Sequence, residues 1–219
     1  MHQRAGQVRD AHAFRRCRAA WAVGAVLAVV AACGVTVAVA SASSGDGAGA
    51  PASSSADAGF ARDMAVHHQQ AVEMSYIVRD RTSDEEVRRL AYDIAQTQAN
   101  QRGMLLGWLD LWDLPKVPEG APMEWMGMGD VPPGADGALM PGMATNKELA
   151  RLGRLKGRDA EVLYLRLMTR HHRGGVHMAS GCVRRCGVSA ERRLAEGMVE
   201  SQESEIALMK RLLGARRAS

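Results

Sequence analysis

MAVHHQQAVEM (residues 64–74) sets two adjacent histidines between two methionines, Met64 three residues before the pair and Met74 six residues after it. MTRHHRGGVHM (residues 168–178) repeats the M-x2-HH-x5-M spacing 104 residues further on. Sliding the chain against itself by that offset aligns residues 60–109 with 164–213 without a gap. Besides the motif residues, identical pairs include Val72/Val176, Leu90/Leu194, Ala91/Ala195, Gln98/Gln202 and Leu109/Leu213. A repeat of about 50 residues is too long for one helix and suits a helix, a tight turn and a second helix. One such hairpin cannot bury its apolar face alone, so two copies predict an all-α four-helix bundle.

The repeats read as residues 60–111 and 159–214, within a domain spanning 60–214. Ser83-Asp84-Glu85-Glu86 has the form of a capping box that opens a helix with Leu90, Ile94, Gln98, Gln101, Leu105 and Leu109 on one stripe. In the second copy Gly187 ends one helix and Val188-Ser189 begins the next, with Leu194, Met198, Glu205 and Met209 on the matching stripe. Residues 114–143 hold proline, glycine and methionine without a helical period and read as a crossover loop. Thr145-Asn146-Lys147-Glu148 offers a second capping box for a short helix over about 146–156. Two phenylalanines, three tyrosines and no sustained alternation of β-branched residues argue against sheet.

The net charge of +4 is concentrated at one end. Five arginines against Asp10 precede residue 43 and leave 23 basic and 23 acidic groups over the remainder. A neutral domain lacks the electrostatic footprint of a nucleic-acid binder, and that class is set aside. Residues 21–42 carry no charge over 22 positions, enough to cross a hydrocarbon core of ~30 Å. The basic residues 1–20 before them predict a cytoplasmic N-terminus and an extracytoplasmic domain, with the membrane as a partner. Three fates fit the segment: an uncleaved anchor, a lipoprotein signal ending at Cys33 in Val30-Ala31-Ala32-Cys33, or cleavage near Ala40-Ser41-Ala42 with secretion. Residues 43–59, of Gly, Ala, Ser and Pro character, read as a flexible linker.

Helical spacing puts Met64, His67, Ala71 and Met74 on one face, and Met168, His171, Gly175 and Met178 on its counterpart. His68 and His172 lie about 100° round, either at the edge of the same site or in solvent. Gly174-Gly175 within a helix costs about 1 kcal/mol per glycine, which points to a close helix approach near Ala71 and Gly175 or to room for a ligand. Imidazole and thioether together suit copper, Cu(I) above all. A di-iron bundle would carry Glu-x-x-His pairs, and none occurs.

Met123, Met126, Met128, Met140 and Met143 sit within 21 residues of the crossover, as flexible thioethers for transient metal capture or as a plain connector. Gln98 and Gln202 interrupt apolar stripes, either to hydrogen-bond an imidazole from behind a metal site or as core amides, with Glu205 as a further outer partner. Cys182 and Cys186, one helical turn apart, are open to a disulfide or to two thiolate ligands. Methionines at helical spacing also serve ordinary core packing, and a duplication keeps residues without a function.

FARDMAVHHQQAVEM, IAQTQANQRGMLLGWL, the MPGM linker, LYLRLMTRHHRGGVHM and MVESQESEIALMKRLL together resemble the bacterial family called domain of unknown function 305, over about residues 60–214. The resemblance implies a ferritin-like four-helix fold in secreted or membrane-anchored proteins, some tied to copper binding and tolerance. Carried over by position, it favours Met64, His67, His68, Met74, His171, His172 and Met178. The second copy keeps Gln202, Glu205, Ile206 and Met209, whereas the first departs with Gln101, Arg102 and Leu105 in place of the last three. The expected function is extracytoplasmic copper sequestration or delivery without catalytic turnover. A metal-dependent oxidoreductase and a metal-free structural or interaction module are the alternatives.

Overall fold

Ser55 accepts a hydrogen bond from Ala58 N on its hydroxyl and opens the first helix, α1 (Ala56–Arg79). The computed structural model describes residues 49–118, 120–129 and 134–218. The basic N-terminus, the apolar segment 21–42, Cys33 and residues 43–48 of the expected linker lie outside the described residues. No helix among the described residues is long and apolar enough to cross a membrane. The linker ends earlier than its composition suggests, because the Ser55 cap draws residues 56–59 into α1 and Asp57 and Ala58 are buried there.

α2 (Glu85–Leu111) follows a short turn. Its cap is Asp84, whose carboxylate accepts from Val87 N at 2.9 Å, in place of the expected Ser83 box. A carboxylate at that position answers both the free amides and the positive end of the helix. α3 (Asn146–Arg154) opens on the Thr145/Glu148 capping box as expected. α4 (Gly157–Arg185) and α5 (Ser189–Ala218) complete the all-helical architecture, with a single 3-10 turn at Glu124–Met126 and no strand among the described residues.

The four long helices pair as two hairpins, α1 with α2 and α4 with α5, and the hairpins meet chiefly through α1 and α4. Two apolar clusters fill the interior. One gathers Phe60, Met64, Leu105, Leu109, Met178 and Met198; the other gathers Met74, Val87, Ile94, Tyr164, Met168 and Met209.

The polar face of α1 fastens the crossover loop. Asp63 accepts from Met123 N (2.8 Å) and Trp125 Nε1 (2.9 Å), and the Gln70 amide exchanges two hydrogen bonds with the backbone of Ala144. Arg62 donates to Pro115 O at 2.7 Å. The glycines of α4 receive the loop from the other side. A Cβ at Gly174 would lie 1.9 Å from Pro141 O, and Gly142, at φ +83°, would place one 2.5 Å from Arg170 O. The neighbouring Gly175 has a different reason, since the Gln202 side chain occupies the space of its missing Cβ. Gly174 thus admits the loop and Gly175 admits an amide, beside the close helix approach or the room for a ligand that the sequence suggested.

Gly197 in α5 has open space around its missing Cβ. Gly197→Ala should therefore raise the unfolding free energy by up to about 1 kcal/mol. Gly174→Ala makes the same helix gain and should still lose about 1–3 kcal/mol from the clash with a backbone carbonyl. Urea unfolding of the two variants beside the parent checks the opposite signs.

Candidate metal centre

α1 and α4 touch through the first histidine of each pair. The His67 and His171 rings lie 3.8 Å apart between centroids, tilted by 30°, and His68 and His172 are as completely buried as they are. The second histidines are therefore core residues, and the solvent alternative does not hold.

Each of the four rings uses Nε2 as a donor. His67 donates to Pro141 O (3.3 Å), His171 to His67 O (3.0 Å), His68 to Gln101 Oε1 (2.9 Å) and His172 to Glu205 Oε2 (2.7 Å). The acceptors are carbonyl, amide or carboxylate oxygens, so the ring proton sits on Nε2. All four Nδ1 atoms are buried and have no hydrogen-bond partner. Burial pushes the pKa of His67 down to about 4 and that of His68 down to about 3, with His67 adding to the effect on His68. His171 is lowered too, by burial first and then by the neighbouring imidazoles. These three rings are neutral at pH 7, with a lone pair on each Nδ1 and no proton competing for it.

Gln98 and Gln202, read either as partners of the imidazoles or as core amides, are buried with neither amide atom bonded to a protein group. The ring partners are Gln101 and Glu205, one turn further along α2 and α5. The 104-residue offset pairs Gln101 with Glu205, and each receives a hydrogen bond from the second histidine of its own half.

The four motif methionines are fully buried but divided. Met64 and Met178 belong to one apolar cluster and Met74 and Met168 to the other, with the histidines at the contact between α1 and α4. The loop methionines pack as well. Met123, Met140 and Met143 are buried in the first cluster, Met126 and Met128 lie against it, and Met126 fills the space beside Gly181. Asp63 and Gln70 pull these loop residues onto α1, which gives them the core role that a proline-broken segment did not suggest. Met123, Met128, Met140 and Met143 also line a cavity of about 410 Å³ that includes Pro141, the partner of His67.

Cys182 and Cys186 form a disulfide with Cα atoms 4.8 Å apart. Among the described residues, the three His, Cys, Asp or Glu side chains whose ligand atoms converge, within 4.8 Å, are Cys182, Cys186 and Glu191; the histidines do not form a group that tight. Burial, and then Asp57 beside it, raises the Glu191 pKa to about 9.

No curated protein sequence matches the chain. A DUF305 protein of Streptomyces coelicolor, described as secreted, shares 72% identity and a TM-score of 0.70, over 75% of this chain and 96% of that one. A DUF305 fragment from Deinococcus radiodurans is 31% identical with a TM-score of 0.61, over 73% and 96%. CopM, solved in a Cu(I)-bound form, shares the fold at 21% identity and a TM-score of 0.56, over 73% and 96%. The model of the family "Domain of unknown function (DUF305)" matches residues 57–213, and with these likenesses the chain belongs to that family.

Proposed function

We propose that the chain is an extracytoplasmic copper-binding protein that sequesters the ion or passes it on. The observation that carries this reading is the set of four buried Nδ1 atoms without partners, each on a ring whose Nε2 proton is held by an oxygen. Histidine ligands of metals show this pattern, one nitrogen free for the ion and the other donating to a carbonyl or carboxylate that orients the ring. The donors fit the ion in kind as well. Imidazole nitrogen and thioether sulfur suit Cu(I), and among the described residues Glu205 is the one acidic side chain bonded to the four rings.

Two of His67, His68, His171 and His172 would hold one metal through Nδ1, since no three of them converge, with Met64, Met74, Met168 and Met178 as thioethers on the same two helices. Met123, Met128, Met140 and Met143 would surround the approach, where the loop cavity includes Pro141, whose carbonyl is bonded to His67. CopM, which shares the fold, has been solved with Cu(I) and with Cu(II), and this supports the same ion class. The Streptomyces relative described as secreted supports the compartment, as does the charge asymmetry around residues 21–42.

A Cu(I) competition titration against a chromogenic chelator tests the reading. The parent chain should bind stoichiometric Cu(I), and the His67→Ala/His171→Ala double variant should lose that binding together with the copper-induced rise in Tm. Equal affinity in both proteins removes the site. Glu205→Gln, which gives the second half the amide found at Gln101, should weaken Cu(I) by about tenfold through the orientation of His172.

The metal-free protein should be most stable near pH 6.5. As pH falls from the ordinary histidine value of 6.5, the unfolded chain takes up protons that the buried His67, His68 and His171 refuse, and stability declines. Glu191 acts oppositely. It keeps its proton to about pH 9 when folded and releases it above its ordinary 4.5 when unfolded, so its contribution falls with rising pH. Three imidazoles outweigh one carboxyl below pH 6.5, and above it the carboxyl term remains. Chemical denaturation across pH 4–9 checks the maximum; a monotonic rise to pH 9 contradicts it.

A further inference from the structure

Glu191 stands apart from the histidine centre and has no role in it. It lies in the first turn of α5, fully buried, and neither carboxylate oxygen receives a hydrogen bond. Its neighbour is another acid. Asp57 beside it is itself a carboxylate, already accepting from Gly187 N (3.2 Å) and Val188 N (2.7 Å). The disulfide facing it has no proton to donate. Protonated, Glu191 hydrogen-bonds the Asp57 carboxylate, so it is buried as a neutral acid paired with another acid.

Cys182, Cys186 and Glu191 converge, with ligand atoms that all lie within 4.8 Å of one another. Cys182 closes the last turn of α4 and Cys186 is its C-cap. Two turns of two helices and the connection at Gly187-Val188, held by Asp57, thus bring two sulfurs and one oxygen to a point. The first repeat has Val78 and Thr82 at the matching positions, so the arrangement belongs to the second hairpin alone. It is separate from the copper reading in its residues and in its chemistry.

We propose that Cys182, Cys186 and Glu191 form a redox-gated cation site, in which the reduced cysteines and the carboxylate bind one thiophilic divalent cation of the zinc or cadmium kind. In the disulfide form the sulfurs are tied to each other and the site is closed. A dithiol reductant opens it. One of its thiolates attacks a cystine sulfur, the Sγ–Sγ bond breaks and a mixed disulfide forms; its second thiol then displaces the remaining cysteine as thiolate. Two electrons pass from the dithiol, which leaves as a disulfide, and the two cysteine protons and the Glu191 proton go to solvent as the cation binds. Two thiolates favour a soft ion, and the Glu191 carboxylate formed on binding, beside Asp57, favours a divalent over a monovalent one.

The test compares the full chain before and after reduction with a phosphine that is then removed, using Cd²⁺ as the probe. The reduced chain should take up one Cd²⁺ more than the oxidised chain, with a thiolate-to-cadmium charge-transfer absorption. The Cys182→Ser/Cys186→Ser variant should show neither, and Glu191→Gln should bind the additional ion at least tenfold more weakly. Because oxidised and reduced samples share the same histidines, copper-site binding cancels in the comparison, and either reading can fail alone. Equal uptake in the two redox states overturns the proposal. So does an unchanged affinity in Glu191→Gln, or a loss of helical circular dichroism on reduction.

Discussion

Four imidazoles held away from water, with their Nε2 protons pinned by oxygens, are the constraint around which the structure is arranged. An unmatched buried polar atom costs about 1–3 kcal/mol. Four orphaned Nδ1 atoms together therefore weigh against a folding free energy of only about 5–15 kcal/mol for a typical domain. The cost is met in part by apolar packing on either side of the rings, where Met64, Met74, Met168 and Met178 are all fully buried, each contributing about 1.5–3 kcal/mol on the usual scale. A ligand for those nitrogens would return what desolvation takes.

The two halves do not hold their rings alike. His171 donates to the backbone of His67 in the opposite half, and His67 donates to Pro141 in the crossover loop. His68 meets a neutral amide at Gln101, and His172 meets a carboxylate at Glu205. The loop is accordingly part of the centre and more than a connector. Asp63, Gln70 and Arg62 tie it to α1, and the missing side chains of Gly142 and Gly174 let its backbone settle against α4. A change in the loop should thus be felt at His67 before it is felt at His172.

Two donor chemistries are kept apart in one interior. The contact between α1 and α4 presents imidazole nitrogen between thioether-rich clusters, suited to a soft monovalent ion that arrives without a change in the protein's oxidation state. The end of the second hairpin presents sulfur and carboxylate, available to an ion only after electrons have been supplied. Asp57 and Asp63, six residues apart on α1, connect that helix to the second hairpin's turn and to the loop respectively. One helix therefore sets the position of both regions.

The repeated spacing of residues 64–74 and 168–178, extended by the 104-residue offset, pointed to an all-helical chain of two hairpins and to a shared face for Met64, His67, Met74 and their counterparts, and the Thr145/Glu148 capping box pointed to a short extra helix. Those properties follow from helical periodicity and capping chemistry, which act over a few residues and are written in them. Only the tertiary structure decided what lies opposite each group. Gln101 rather than Gln98 reaches the second histidine, because the two differ by three positions and the packing of α1 on α2 selects between them. Met123, Met140 and Met143 became core residues because Asp63 and Gln70, some 60 to 74 positions away, hold the loop down. Cys182, Cys186 and Glu191 converge because a turn between two helices folds them together, and local periodicity carries no record of such long-range neighbours.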